Sequence, residues 1–224
     1  MICPKCKDLG IICKVDKEGY EVFDRHCDCP IGKAKEEGLE QYKLRKANIY
    51  EKYWKASMAD LQSQPLEHHA KYIKKIKELV VKMPEGYTMV IFGNSGVGKT
   101  MGTSILLKHL LLTTNLDCYY TTMSDMLSTI LKENNVEDDM SYFSMLKDMD
   151  VLVVDDIGLT SIQRTDFPAI TINTLLKDRI SNNKVTFLIL LDGKLLENQY
   201  RFISKLVLPD NIYDVTGKNG WISK

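Results

Sequence analysis

Apolar residues fall into short unbroken runs over the later two thirds of the chain, and each run is followed by a stretch with helical spacing. Residues 87–92, 117–122, 151–155 and 185–191 read as strands, the second of them Asp-Cys-Tyr-Tyr-Thr-Thr rather than an apolar run. Residues 99–113 are apolar nearly all round, which predicts a buried helix. An amphipathic helix is expected over 124–132, an acidic loop over 133–139, and further helices over 165–181 and 195–206. The tail, 211–224, is expected to add one or two short strands around Gly217. Strands alternating with helices predict an α/β fold with a parallel sheet covered on both faces.

The front third reads differently. Residues 31–83 are rich in Lys, Glu, Ala and Tyr and nearly free of Gly and Pro after Gly38, so they read as helices. Tyr42, Ile49, Tyr50, Tyr53 and Trp54 recur at spacings compatible with one helical face. A break is expected near 63–65, then a second helix over 66–83, stopped by Pro84 and Gly86. Residues 1–30 hold few large apolar side chains and cannot build a core without a staple. The expected organisation is therefore a small metal module over 1–30, a helical linker over 31–83 and an α/β core over 84–224.

Charge changes this picture little. Thirty basic side chains balance thirty acidic ones, so net charge does not push the chain toward indiscriminate nucleic-acid binding. No run of 18 apolar residues exists, so no membrane-spanning helix is expected. Met1 leads straight into Cys3-Pro4-Lys5-Cys6 with no export signal, and a cytoplasmic location follows as an expectation.

The first chemical signal is Gly93-Asn94-Ser95-Gly96-Val97-Gly98-Lys99-Thr100, a match to G-x-x-x-x-G-K-[ST] at every fixed position. A strand precedes it and a helix carrying Met101 follows. Glycines let backbone N–H groups converge on phosphate oxygens without Cβ clashes. The helix N-terminus adds positive potential there. Lys99 is expected to reach the β- and γ-phosphates of ATP, and the Thr100 hydroxyl to ligate Mg²⁺.

The second signal is Val151-Leu152-Val153-Val154-Asp155-Asp156, an apolar strand ending in two carboxylates. Ligands bind at the carboxyl edge of such sheets. Asp155 is placed to hold the Mg²⁺ shell, directly or through water. Asp156 stands where a carboxylate polarises an attacking water, or else binds a partner.

The third is Cys3-x-x-Cys6 with Cys27-x-Cys29, four thiolates suited to tetrahedral Zn²⁺. The tighter second spacing departs from the usual C-x-x-C, and Cys13 and His26 are spare ligands. Free thiols or a redox pair are the alternatives. Cys118 and Tyr119-Tyr120 read as core, and His68-His69 as a solvated pair on a polar helix.

The phosphate loop, Asp155-Asp156-Ile157-Gly158, and an N-terminal Cys-Pro-x-Cys-x-Asp-x-Gly from Cys3 to Gly10 resemble the AAA+ helicase loaders of the DnaC/DnaI type, over nearly the whole chain. That resemblance implies an AAA+ P-loop core, here without a lid domain. It implies an ATPase that binds a replicative hexameric DNA helicase through its N-terminal region, within residues 1–83 and with the linker 31–83 as the interaction region, binds single-stranded DNA, and assembles as a homo-oligomer on the helicase ring. On this resemblance Asp156 is the catalytic carboxylate. Asp156 stands where many members have Glu, and two further positions depart from the family. Asp192 stands where a polar γ-phosphate sensor is usual, and Lys205 stands at the position of the trans-acting arginine finger, with Arg201 as a spare. Lysine keeps the charge and loses the planar fork. Slow hydrolysis is the expectation. The alternatives are an IstB-type transposition helper, or a nucleotide-gated adaptor with little turnover.

Overall fold

A computed structural model describes residues 3–7, 9–62, 67–133, 141–158 and 166–216. The expected break at 63–65, the side chains of His68 and His69, the acidic loop after Glu133 and the tail around Gly217 lie outside the described residues. The chain forms two compact units, Met1–Lys46 and Ala47–Lys224. The segment expected as one linker over 31–83 is therefore divided between them.

The smaller unit is a hairpin followed by a helix. Strands β1 (Ile11–Val15) and β2 (Glu21–His26) pair antiparallel, with a bulge between Ile12 and Cys13. Asp16 closes the turn: its Oδ1 accepts from the N–H groups of Glu18 and Tyr20, each at 2.9 Å. The helix α1 (Pro30–Lys46) starts immediately after Cys29. Its first turn lies so close to Cys27 that a Cβ on Gly32 would stand 1.9 Å from the Cys27 carbonyl oxygen. Composition alone did not reveal this hairpin.

The larger unit carries a five-stranded sheet. Its strands are β3 (Thr88–Phe92), β4 (Cys118–Thr122), β5 (Val151–Ile157), β6 (Val185–Leu190) and β7 (Ile212–Asp214), in the order β4-β5-β6-β3-β7. Every pairing is parallel. Strand β6 is buried at all six positions, as expected when helices cover both faces.

Successive strand residues point to opposite faces. Val90, Leu152, Val154, Leu188 and Leu190 join one core with helices α5 (Met123–Glu133), α6 (Tyr142–Asp148) and α7 (Phe167–Ser181). Met89, Ile91, Val153, Phe187 and Ile189 are equally buried and face the other way. That face is covered by α4 (Lys99–Thr113), against which α3 (Glu67–Val81) packs from outside.

Arg179 joins α7 to its neighbours. It is fully buried and donates to the carbonyls of Leu146 and Met149 at 2.7 Å, to that of Val185, and to Thr186 Oγ1 at 2.9 Å. Burial pulls its pKa down to about 10. The helix it steadies, α6, is only seven residues long and was not foreseen; Ser141 caps it, its side chain accepting from the Ser144 N–H at 3.2 Å.

Two expectations need correction. The helix read over 195–206 is two short helices, α8 (Lys194–Glu197) and α9 (Ile203–Leu206). Asn198 leaves helical geometry at φ −107°, ψ −90°, and the chain turns so that Tyr200 enters the core. The single helical face expected for Tyr42, Ile49, Tyr50, Tyr53 and Trp54 is not formed. Helix α1 ends at Lys46, and Asn48 adopts φ +56°. Glu51–Tyr53 is one 3₁₀ turn, and the short helix α2 (Met58–Gln62) follows.

Candidate nucleotide-binding site

The phosphate loop runs from the end of β3 into α4. Gly93, Gly96 and Gly98 take φ +148°, +79° and +89°, backbone regions that glycine enters freely. A Cβ on Gly93 would stand 2.7 Å from the Val215 carbonyl carbon, so the loop also needs glycine for the close approach of the chain leaving β7. Helix α4 begins at Lys99 with Gly98 as its cap, so its first N–H groups lack intrahelical partners and can donate to an anion.

Lys99 is 7% exposed, and its Nζ donates to the carbonyls of Gly93 at 2.6 Å and Asn94 at 2.8 Å. Burial pushes its ammonium below the ordinary value, against the pull of Asp155 and Asp156. The Thr100 hydroxyl donates to Asp155 Oδ2 at 2.6 Å. The phosphate loop and the end of β5, 55 positions apart in sequence, thus meet in one hydrogen bond.

Asp155 is 1% exposed and fully engaged. Oδ2 accepts from Thr100 and from the Tyr120 hydroxyl at 2.7 Å, and Oδ1 accepts from the Asp156 N–H at 2.6 Å. Asp156 adopts φ +55°, and the β5–β6 register is irregular between Val154 and Ile157. A regular strand would send Asp155 and Asp156 to opposite faces. The break in the pleat lets both line one cavity. Burial, then the Asp155 carboxylate, pushes the Asp156 pKa above the ordinary carboxylate value; Lys99 and Lys52 pull it back.

That cavity holds about 440 Å³ and is lined by Ser95 to Met101, Asp155, Asp156, Tyr120 and Leu191. Tyr50, Lys52 and Tyr53 complete its wall. Reading the sequence missed all four of Tyr120, Tyr50, Lys52 and Tyr53. Tyr120 reads as core from its sequence, and nothing local to residues 50–53 marks them as part of this site. Asp192 does not line this cavity. It is exposed, its Oδ1 accepts from the Lys194 N–H at 3.0 Å, and it borders a second crevice with Gly93, Asn94 and Ser204. Lys205 is exposed on α9, and the Arg201 Nε donates to the Glu197 carbonyl on the neighbouring turn.

In the smaller unit, the sulfurs of Cys3, Cys6, Cys27 and Cys29 lie within 4.8 Å of one another. Cys3 and Cys27 are 3.8 Å apart, Cys6 and Cys29 3.6 Å. A tetrahedral zinc at about 2.3 Å from each sulfur needs edges of roughly 3.8 Å, so the four positions fit Zn²⁺. The tight Cys27-x-Cys29 spacing works because α1 starts at once, and the Gly32 N–H points at Cys29 Sγ from 3.4 Å. Cys13 is exposed and His26 packs edge-on to Phe23; neither belongs to the cluster.

A glycine-rich loop joined through Thr100 to a carboxylate on the neighbouring-but-one strand, in a parallel sheet of this order, defines a P-loop ATP-binding protein. The chain belongs to the family of IstB-like ATP binding proteins, whose pattern matches residues 43–196, more than half its length. The fold is similar to that of the DnaC helicase loader, with TM-score 0.63 and 19% identity over 75% of this chain and 100% of that one. It is similar to DnaI at TM-score 0.54 and 15% identity, covering 75% and 95%. It is also similar to AMPPCP-bound DnaA from Aquifex aeolicus at TM-score 0.58 and 16% identity, covering 76% and 53%. Curated proteins yield no match by sequence. At these identities the likeness to solved structures is one of fold.

Proposed function

We propose that this protein is an ATP-dependent loader of a replicative hexameric DNA helicase, switched by ATP·Mg²⁺ binding and slow hydrolysis. The observation that carries the reading is the similarity in fold, over 75% of this chain and the whole solved chain of a helicase loader, joined to a four-cysteine unit.

The chemistry supports a nucleotide switch. Loop N–H groups and Lys99 would take the β- and γ-phosphates, while Thr100 and Asp155 would hold Mg²⁺. Magnesium would neutralise charge on the terminal phosphates. Asp156, with its raised pKa and its place in the cavity, is the group to orient an attacking water. Turnover is slow on this reading because Asp192 accepts from the Lys194 N–H and offers the γ-phosphate no neutral donor. Lys205 acts on the nucleotide of a neighbouring subunit and lacks the fork of an arginine. The same two features favour, as second reading, an adaptor gated by nucleotide with hardly any hydrolysis. The cysteine unit argues against a transposition helper. We place the helicase contact on residues 1–46, and the assembly in the bacterial cytoplasm on single-stranded DNA.

Native mass measurement of the protein mixed with a bacterial replicative helicase checks this. The expected result is a complex with several copies per hexamer, gained with ATP and lost on deleting residues 1–46. A truncated chain that still joins the helicase would move the contact to the core, and no complex under any nucleotide would sink the loader reading.

A further inference from the structure

We propose that Lys52 is a second phosphate-facing cation of the nucleotide site, supplied in cis by the segment ahead of the α/β core. The proposal rests on the nucleotide reading above and adds a residue to it.

The segment is fixed on two elements. The Ala47 carbonyl accepts from the Tyr120 N–H at 2.9 Å, and Asn48 Nδ2 donates to the Tyr120 carbonyl at 2.9 Å, so residues 47–48 cover the free edge of β4. Ile49 is buried, and Trp54 Nε1 donates back to its carbonyl at 2.8 Å. Lys108 on α4 donates to the carbonyls of Trp54 and Ala56. These bonds hold the turn Glu51–Tyr53 against the ATP-binding core rather than leaving it as a linker.

The turn delivers Lys52 to the carboxylate side of the cavity. The Tyr50 ring meets the Tyr120 ring edge-on at 5.2 Å, and the Tyr120 hydroxyl is bound to Asp155. Lys52 Nζ stands 5.4 Å from the Tyr50 ring centre and 4.9 Å from that of Tyr53. All three side chains line the cavity with Lys99, Asp155 and Asp156. The ammonium is steadied by ring faces, which occupy none of its donors. Among the described residues no carboxylate forms an ion pair with it. A cation so placed, beside the residues that hold Mg²⁺, suits the γ-phosphate end of a nucleoside triphosphate. It supplies within one subunit part of the charge that an arginine from a neighbour would bring.

Calorimetric titration of ATP and ADP, each with magnesium, into the wild type and the Lys52→Met and Lys52→Arg variants tests this. Methionine keeps a stem over the rings and removes the charge. The expected result for Lys52→Met is ATP affinity down about 10-fold or more, with ADP changed less than about 3-fold, as for loss of one charge-assisted contact to the terminal phosphate. Lys52→Arg is expected to keep ATP affinity within about 3-fold of wild type. Equal losses for both nucleotides, or no loss for either, would overturn the role of Lys52 while leaving the nucleotide site standing. A wild-type protein that binds neither nucleotide would overturn the site itself, and this proposal with it.

Discussion

Asp155 receives three hydrogen bonds from Thr100, Tyr120 and its own chain, and the middle one is the least obvious. Thr100 and Asp155 were both legible from their motifs. Tyr120 was not, because an aromatic in a buried strand looks like core in any sequence, and its hydroxyl finds Asp155 only when β4 and β5 pair in register. Removing that hydroxyl with Tyr120→Phe leaves the ring packed and one carboxylate oxygen short of a donor. ATP hydrolysis is expected to fall on the order of 10-fold, with a higher magnesium requirement and a melting temperature a few degrees lower, since a buried charged acceptor loses one bond. Asp156 gives a pH prediction. Its pKa is raised by burial and by Asp155. A raised carboxylate pKa means protonation at a higher pH, so a base that must be ionised fails sooner as pH falls. The acid limb of the hydrolysis profile should therefore lie above the ordinary carboxylate value of about 4, and Asp156→Asn should remove activity while keeping ATP binding. A limb at or below that value would show that Asp156 is not the base.

At the scale of elements, the apolar runs located strands β3, β5 and β6 and helix α4 because a strand buried on both faces is largely apolar, whereas β4, Cys-Tyr-Tyr-Thr-Thr at the sheet edge, carries no such run. The same rule is silent where an element is short or held by distant partners. Helix α6 rests on one serine cap and on Arg179 reaching across from α7. The helix read over 195–206 is broken at Asn198, because burying Tyr200 outweighs continuing a regular helical spacing. The fit of α3 on α4 is another case that spacing cannot show. A Cβ on Gly102 would lie 2.3 Å from the Tyr72 hydroxyl oxygen and 2.9 Å from its ring carbon, while that hydroxyl donates to the Lys99 carbonyl at 3.0 Å. Gly102→Ala is expected to destabilise the larger unit by about 1–3 kcal/mol through overpacking. Thermal melts should show Gly102→Ala with Tyr72→Phe recovering part of the loss, since the closest clash is with the hydroxyl. A Gly102→Ala protein as stable as wild type would mean that α3 is not held as described.

At the scale of the whole molecule, the boundary between units falls after Lys46, so residues 47–83 fold with the ATP-binding core. Truncations that remove them would damage the nucleotide site, and a cut at residue 46 spares it. The smaller unit has a two-stranded hairpin and one helix around four sulfurs, too little apolar surface to stand alone. Stripping zinc with a chelator is therefore expected to unfold residues 1–46, seen as lost protection in hydrogen exchange, while ATP binding and the melting of the larger unit persist. Protection retained in 1–46 after chelation would exclude a structural metal. The sequence by itself determined the phosphate loop, the acidic strand end, the four thiolates and the α/β alternation. Each depends on residues adjacent or closely spaced in the chain. Only the tertiary structure decided that Tyr50, Lys52, Tyr53 and Tyr120 share a wall with Lys99, and that Asp192 turns away from it. Those positions follow from strand pairing, a covered sheet edge and a kink at Asp156, none of which leaves a periodic trace in the sequence.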